Sequence, residues 1–201
     1  MKKGRLPHNL LPLQSGVGTV SNAVLEGMRK SDFENLEFFT EVIQESVLNL
    51  IDDGKVAYAS GTAVSPTPAG MIRFQKNVNH YKDYVVLRPQ EISNHVELVR
   101  RLGVIAINTP LEIDIYGNVN STHQFACGIM NGIGGSGDFS HNGYYSIFAT
   151  PSTAKDGSIS CVVPMVSHVD HNEHDTTVFV TEFGYADLRG LSPRERAESI
   201  I

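Results

Sequence analysis

The hydrophobic positions of the first half of the chain alternate between short apolar runs and stretches of helical spacing. Leu10 to Leu13 is apolar and breaks at Gln14-Ser15-Gly16-Val17-Gly18, a turn of small residues. Val20 to Met28 carries apolar residues at helical intervals, which predicts a helix with Thr19 or Ser21 as its cap. Leu36 to Thr40 reads as a buried strand, and Val42 to Ile51 as an amphipathic helix stopped by Asp52-Asp53-Gly54. The same alternation follows in Tyr84 to Leu87 (strand), Ile92 to Leu102 (helix, with Val96, Val99 and Leu102 on one face) and Gly103 to Ile107 (strand).

Beyond residue 110 the texture changes. Leu111 to Asn120 alternates apolar and polar positions, as a half-exposed antiparallel hairpin turning at Gly117-Asn118 would. Strands are expected at Ser146 to Thr150, Ile159 to Val163 and Thr177 to Thr181. A final helix starts where Ser192 can cap and Pro193 can take the first helical position. No repeat, low-complexity tract or linker is visible, so one compact unit is expected. The fold class is α/β: an open mixed sheet, largely parallel, flanked by helices.

Composition narrows the function. The 201 residues are 41% hydrophobic and 19% charged, enough apolar material for a core. Sixteen Lys and Arg against 22 Asp and Glu give a net charge of −6, which offers no electrostatic reason to bind nucleic acid or an anionic membrane. Cys127 and Cys161 lack a CxxC spacing, which excludes a disulfide framework and a thiolate zinc site. Pro7 and Pro12 interrupt the N-terminal segment, and no apolar run approaches the roughly 18 residues of a membrane span. A cytoplasmic protein is expected.

Three stretches could carry chemistry. Gly132-Ile133-Gly134-Gly135-Ser136-Gly137-Asp138-Phe139 can present backbone N–H groups to an anion or oxyanion, through Gly134, Gly135 and Gly137. It lacks the Lys-Ser/Thr of a phosphate loop and the strand and acidic residue of a dinucleotide fingerprint; a tight turn explains it equally well. Val166 to Asp175 crowds His168, Asp170, His171, Glu173, His174 and Asp175. That stretch lacks the HExxH order, and no distant third ligand is identifiable, so it reads as a polar loop and no metal is assigned. Glu41 lies where a buried strand ends and a helix is expected to begin, a position for a base or nucleophile or for a helix-start acid. Glu182 repeats this at another strand end, with a turn residue as the plain alternative, and Asn94 would ordinarily be a helix cap.

Taken together, Gln14 to Gly18, Thr40 to Gln44, Leu87 to Asn94, Ile115 to Thr122, Gly132 to Phe139, Pro164 to Asp175 and Thr181 to Gly190 resemble, in order, the second half of the acetyl-CoA hydrolase/transferase family. The resemblance implies a glutamate nucleophile at Glu41 that attacks an acyl-CoA thioester and forms a covalent glutamyl-CoA intermediate. It implies oxyanion-binding amides at Val17 and Gly135, and orienting roles for Asn94 and Glu182. Coenzyme A would enter as a substrate thioester, with acetate or another small carboxylate as partner and no tightly bound cofactor. Family members carry an additional N-terminal CoA-transferase domain, to which nothing here corresponds. The expectation is a C-terminal catalytic domain over 1–201 that needs that partner domain and self-associates through its uncovered face. Hydrolysis of acetyl-CoA, noncatalytic CoA binding and a metal-dependent hydrolase at the histidine cluster are the competing readings.

Overall fold

The apolar runs of the first half become parallel strands in the computed structural model, which describes residues 6–125 and 127–201. Two compact units make up the chain, Met1–Ile105 and Ala106–Ile201, where one was expected. The division falls inside a strand, which is why composition carries no trace of it.

The first unit runs β1 (Leu13–Ser15), α1 (Thr19–Arg29), β2 (Leu36–Phe39), β3 (Val42–Ile43), α2 (Glu45–Asp52), β4 (Val56–Gly61), β5 (Ala63–Val64), α3 (Pro68–Lys76), α4 (Val78–Tyr81), β6 (Val85–Leu87), α5 (Gln90–Ser93) and α6 (Val96–Leu102). Its sheet has the order β1-β2-β4-β6. Each neighbouring pair is parallel, with Leu13 opposite Phe38, Phe38 opposite Ala59, and Ala59 opposite Val85. The strands are short; β2 is mostly buried and apolar, whereas β6, the last in the order, is largely exposed. Leu25 of α1 and Val47, Leu48, Leu50 and Ile51 of α2 supply part of the buried core with Leu36 and Phe38.

Three details depart from the expected pattern. Helix α1 begins after Gly18 with no side-chain cap, and Ser21 is buried inside it. The helix expected over 42–51 loses its first turn: Val42 and Ile43 pair in parallel with Ala63 and Val64, and α2 starts at Glu45. Two β-branched residues prefer that pairing to a helical turn. The helix expected over 92–102 is two pieces, and Asn94 ends the first of them instead of capping a start.

The second unit holds β7 (Ile105–Asn108, entering from the first unit's last residue), β8 (Glu112–Asp114), β9 (Val119–Asn120), β10 (His123–Gln124), β11 (Gly128–Ile129), α7 (Ser136–Asn142), β12 (Tyr145–Ala149), β13 (Thr153–Ala154), β14 (Ile159–Ser160), β15 (Val162–Val163), β16 (Val178–Thr181), β17 (Gly184–Asp187) and α8 (Pro193–Ile200). Strands β12 and β16 are parallel, and β17 folds back on β16 as an antiparallel edge. The fold is therefore mixed α/β, with a parallel sheet in the first unit and both parallel and antiparallel pairing in the second.

The expected hairpin forms from β8 and β9, but it is buried where half-exposure was expected. Ile113 and Val119 pack with Phe148 and Phe179 in a core that Val162 and Ile200 partly cover. Asp114 and Asn120 of that alternating pattern are inside too, each with hydrogen-bond partners. The strand expected over 159–163 is divided between β14, paired to β13, and β15, paired to β8. Helix α8 is capped as its sequence suggests, with Ser192 and Glu195 exchanging hydrogen bonds. Both cysteines are free thiols.

Candidate active site

In a parallel sheet every strand delivers its chain to the same edge, and ligands bind at the carboxyl ends of the strands. The first unit brings three of the expected residues to that edge. Val17 follows β1, Glu41 follows β2, and Asn94 lies on the turn of helix that follows β6.

The Val17 and Glu41 loops are tied together. Thr40, fully buried, donates its hydroxyl to the Ser15 carbonyl at 3.3 Å. Gln44 donates its side-chain amide to the Gly16 carbonyl at 2.6 Å, and its Oε1 accepts the Gly18 N–H at 3.4 Å. One side chain thus holds the backbone on both sides of Val17. Gly18 has φ +131°, a conformation that a Cβ would strain, and Val17 itself is 69% exposed. An exposed residue between two fixed peptides can turn its N–H toward a ligand.

Glu41 is half-buried, with its backbone set by the end of β4. Its carbonyl accepts Thr62 N–H at 2.7 Å, and Thr40 N–H donates to the Ser60 carbonyl at 3.0 Å. Between them Gly61 passes so close that a Cβ would stand 2.9 Å from Ile43 Cγ1 and 3.2 Å from the Thr40 and Glu41 carbonyl oxygens. The bend that turns Glu41 out of the sheet therefore depends on a missing side chain beneath it. The helix-start reading of Glu41 is corrected, since β3 and not a helix follows it.

On the same edge, Arg88 N–H donates to the Gly61 carbonyl at 2.9 Å, and the Arg88 guanidinium reaches Ser60 Oγ at 3.0 Å and the Tyr58 hydroxyl at 2.8 Å. Asn94 is buried to 7% exposure in the wall of an open groove of about 440 Å³, which Gln90, Glu91, His95 and Val96 also line.

The second unit holds the other expected residues. Gly135, buried, is the residue from which α7 starts, and Gly134 before it has φ +55°. Gly137 lies in the first turn of that helix. Ser136 fixes the loop by donating to the Ile133 carbonyl at 2.7 Å and by a 3.1 Å contact between its hydroxyl and His171 Nε2. Glu182 occupies the exposed hairpin turn between β16 and β17. Its carboxylate accepts the Ser152 N–H at 2.7 Å and the Ser152 hydroxyl. The Ser152 hydroxyl and then its amide hold the Glu182 carboxyl below the usual carboxylate range.

The histidine-rich stretch does not act as one cluster. His171 is buried against Phe148, and burial lowers its pKa. His174 is exposed beside Glu173. His168 and Asp170 lie instead beside His123, which comes from a segment far earlier in the chain. Sequence reasoning missed His123, Gln44 and Gly61. His123 stands one residue past a stretch already singled out, Gln44 was counted as helix interior, and a lone glycine ending Val56 to Gly61 gives no local sign of close approach.

Comparison with known proteins identifies the family of the chain. The acetyl-CoA hydrolase/transferase C-terminal domain matches residues 70–201. A protein named succinyl-CoA:acetate CoA-transferase from Clostridium kluyveri is 61% identical over the whole chain, which covers 37% of that protein. One named acetyl-CoA hydrolase from Neurospora crassa is 53% identical over 98% of the chain and 38% of its own length. Among solved structures, RipA from Yersinia pestis superposes with a TM-score of 0.81 at 30% identity, over 94% of this chain and 45% of that one. The chain thus spans less than half the length of the relatives it matches.

Proposed function

The chain belongs to the acetyl-CoA hydrolase/transferase family, and on that premise we propose that it carries the nucleophile of a CoA-transfer reaction between an acyl-CoA and a small carboxylate such as acetate. The observation that supports this most is Glu41 itself: a carboxylate at the carboxyl edge of a parallel sheet, on a bend set by Gly61 and tied to the Val17 loop by Thr40 and Gln44.

The cycle balances with protein carboxylate alone. A Glu41 oxygen attacks the acyl carbon, the C–S bond breaks, and a mixed anhydride and CoA thiolate result. The thiolate then attacks the Glu41 carbonyl carbon, releasing the first carboxylate and leaving a glutamyl-CoA thioester. An acceptor carboxylate attacks that thioester to re-form an anhydride and thiolate. Thiolate attack on the acyl carbon releases the new acyl-CoA and restores Glu41. Each tetrahedral stage carries an oxyanion, for which the backbone amides of Val17 and Gly135 are the proposed donors; one such donor is typically worth about 100- to 1,000-fold in rate. Gly134 and Gly137 keep the second loop open to coenzyme A, while Asn94 and Glu182 orient the reacting carboxylates. Ser152 presets the Glu182 carboxylate for that role.

Water in place of the acceptor would make the same intermediate a hydrolase, a reading favoured by the name of the Neurospora relative. Loss of acyl-CoA measured with and without acetate separates them, since a transferase turns over only with the acceptor.

The central test is made in a form of the protein that also carries the N-terminal CoA-transferase domain of the family. Glu41→Ala should abolish transfer, and Glu41→Asp should lose most of it, because an oxygen displaced by about 1 Å costs on the order of 100-fold. Borohydride added after acyl-CoA should mark the peptide holding Glu41. Transfer above a tenth of the parent rate in the alanine variant would overturn the assignment.

A further inference from the structure

Three side chains that the acyl-transfer cycle leaves unused converge in the second unit. The imidazoles of His123 and His168 lie with ring centroids 3.8 Å apart, and His168 Nε2 is 3.3 Å from Asp170 Oδ1. One potential ligand atom from each of the three residues falls within 4.8 Å of the other two. A tetrahedral ion with nitrogen and oxygen ligands at about 2.0–2.1 Å holds them roughly 3.3–3.4 Å apart. The His168–Asp170 pair already has that spacing, and the other separations need to close by at most about 1.5 Å.

The surroundings are those of a supported ligand set. The Asp170 side chain is 7% exposed and accepts the Ser121 N–H at 2.7 Å and the Thr122 hydroxyl at 2.9 and 3.0 Å. The same hydroxyl lies 2.6 Å from His123 Nδ1, so one threonine orients both the carboxylate and an imidazole. Outer contacts of this kind fix first-contact ligands in metal centres. The donors come from two separate segments, 121–123, which continues β9, and 168–170, which is hydrogen-bonded to β9 through the Asp170 N–H and the Val119 carbonyl.

We propose that His123, His168 and Asp170 bind one divalent first-row ion of the zinc class, through two imidazole nitrogens and one carboxylate oxygen, with water completing the tetrahedron. The ion cross-links the turn after β9 to the 167–171 segment. Its role is to hold the chain that leads into the glycine loop, and it takes no step in acyl transfer.

The test uses the full chain without a polyhistidine tag, stripped with a chelator and titrated calorimetrically with zinc chloride alone. One equivalent should bind at micromolar or lower concentration and raise the thermal midpoint. His123→Ala and His168→Ala should each weaken binding by at least roughly tenfold. His174→Ala, an exposed histidine outside the trio, should leave it unchanged. Asp170→Asn also removes an anchor for Ser121 and Thr122, so its circular dichroism is compared with the parent and the two histidine variants decide the matter. Absence of saturable binding up to roughly 100 µM zinc, or binding that survives both histidine substitutions, would overturn the proposal.

Discussion

The two units position their polar groups by different physical means. In the first, the hydrogen-bond ladder of a parallel sheet carries each loop to one edge, and a few side chains trim the result: Thr40, Gln44 and Arg88. In the second, side chains replace the ladder. Asp114, almost fully buried, accepts the N–H groups of Tyr116, Gly117 and Asn118 at 3.0 Å each, together with the Asn118 side chain. Asn120, fully buried, accepts Thr122 N–H and His123 N–H while donating to Glu112 and the His123 carbonyl. A ladder distributes its stability over many peptides, whereas a polar knot concentrates it in single residues whose removal strands several buried donors at once.

That contrast can be broken experimentally, and the second unit should give the largest effect. Asp114→Ala strands the Tyr116 and Asn118 N–H groups and the Asn118 side chain, while Gly117 N–H keeps the Asp114 carbonyl, and it should destabilise the protein by about 2–3 kcal/mol in chemical denaturation. A loss below about 0.5 kcal/mol would mean that water or rearranged backbone replaces the knot.

Next is Gly61→Ala in the first unit, where the new methyl meets Ile43 and two carbonyl oxygens. It should cost about 1–3 kcal/mol and lower transfer activity together with stability, because the backbone it displaces is that of Glu41. Wild-type activity in this variant would separate the bend from the nucleophile's placement.

Gln44→Ala should cost only about 1 kcal/mol, since the sheet survives it. The rate of transfer should fall by a larger factor than stability predicts, because the peptides flanking Val17 lose their clamp. Equal losses of rate and stability would erase the distinction between ladder and trim.

The smallest effect is a pH dependence. Burial pushes Glu112 up, but hydrogen bonds from Asn120 and Ser167 outweigh it and leave the carboxyl below its ordinary 4.5. The unfolded chain therefore takes up this proton first. The contribution is present above about pH 4.5 and is lost as pH falls through the folded value. Glu112→Gln should flatten the acid side of the stability curve, and an unchanged slope would remove Glu112 from the knot.

The same difference explains what the amino-acid sequence made legible. Parallel strands announce themselves as apolar runs, whether buried as β2 is or largely exposed as β6 is, so both strands and the strand-end positions of Val17 and Glu41 could be read directly. Strand β4 escaped because Val56 to Gly61 is built largely of small residues, and its closing glycine acts through a contact distant in sequence. Helix α3 was also missed, although Thr67 and Pro68 give the ordinary start signal and Thr67 does accept the Gly70 N–H. In the second unit periodicity found β8 and β9 but not their burial, because alternation alone does not show that Asp114 and Asn120 are satisfied inside. The meeting of His123 with His168 depends on the pairing of β9 with the 170–171 segment, and no local spacing encodes it.

Gln44 holds a peptide oxygen on one side of Val17 and a peptide hydrogen on the other. Only a group that is donor and acceptor at once can do both, and the side-chain amide does so without a charge. The single-base neighbours of a glutamine codon encode Glu, Lys, Arg, Leu, Pro, His or a stop. None of these carries an amide, so position 44 sits in a mutational cul-de-sac, and drift across it should be slower than its distance from any reacting atom would suggest.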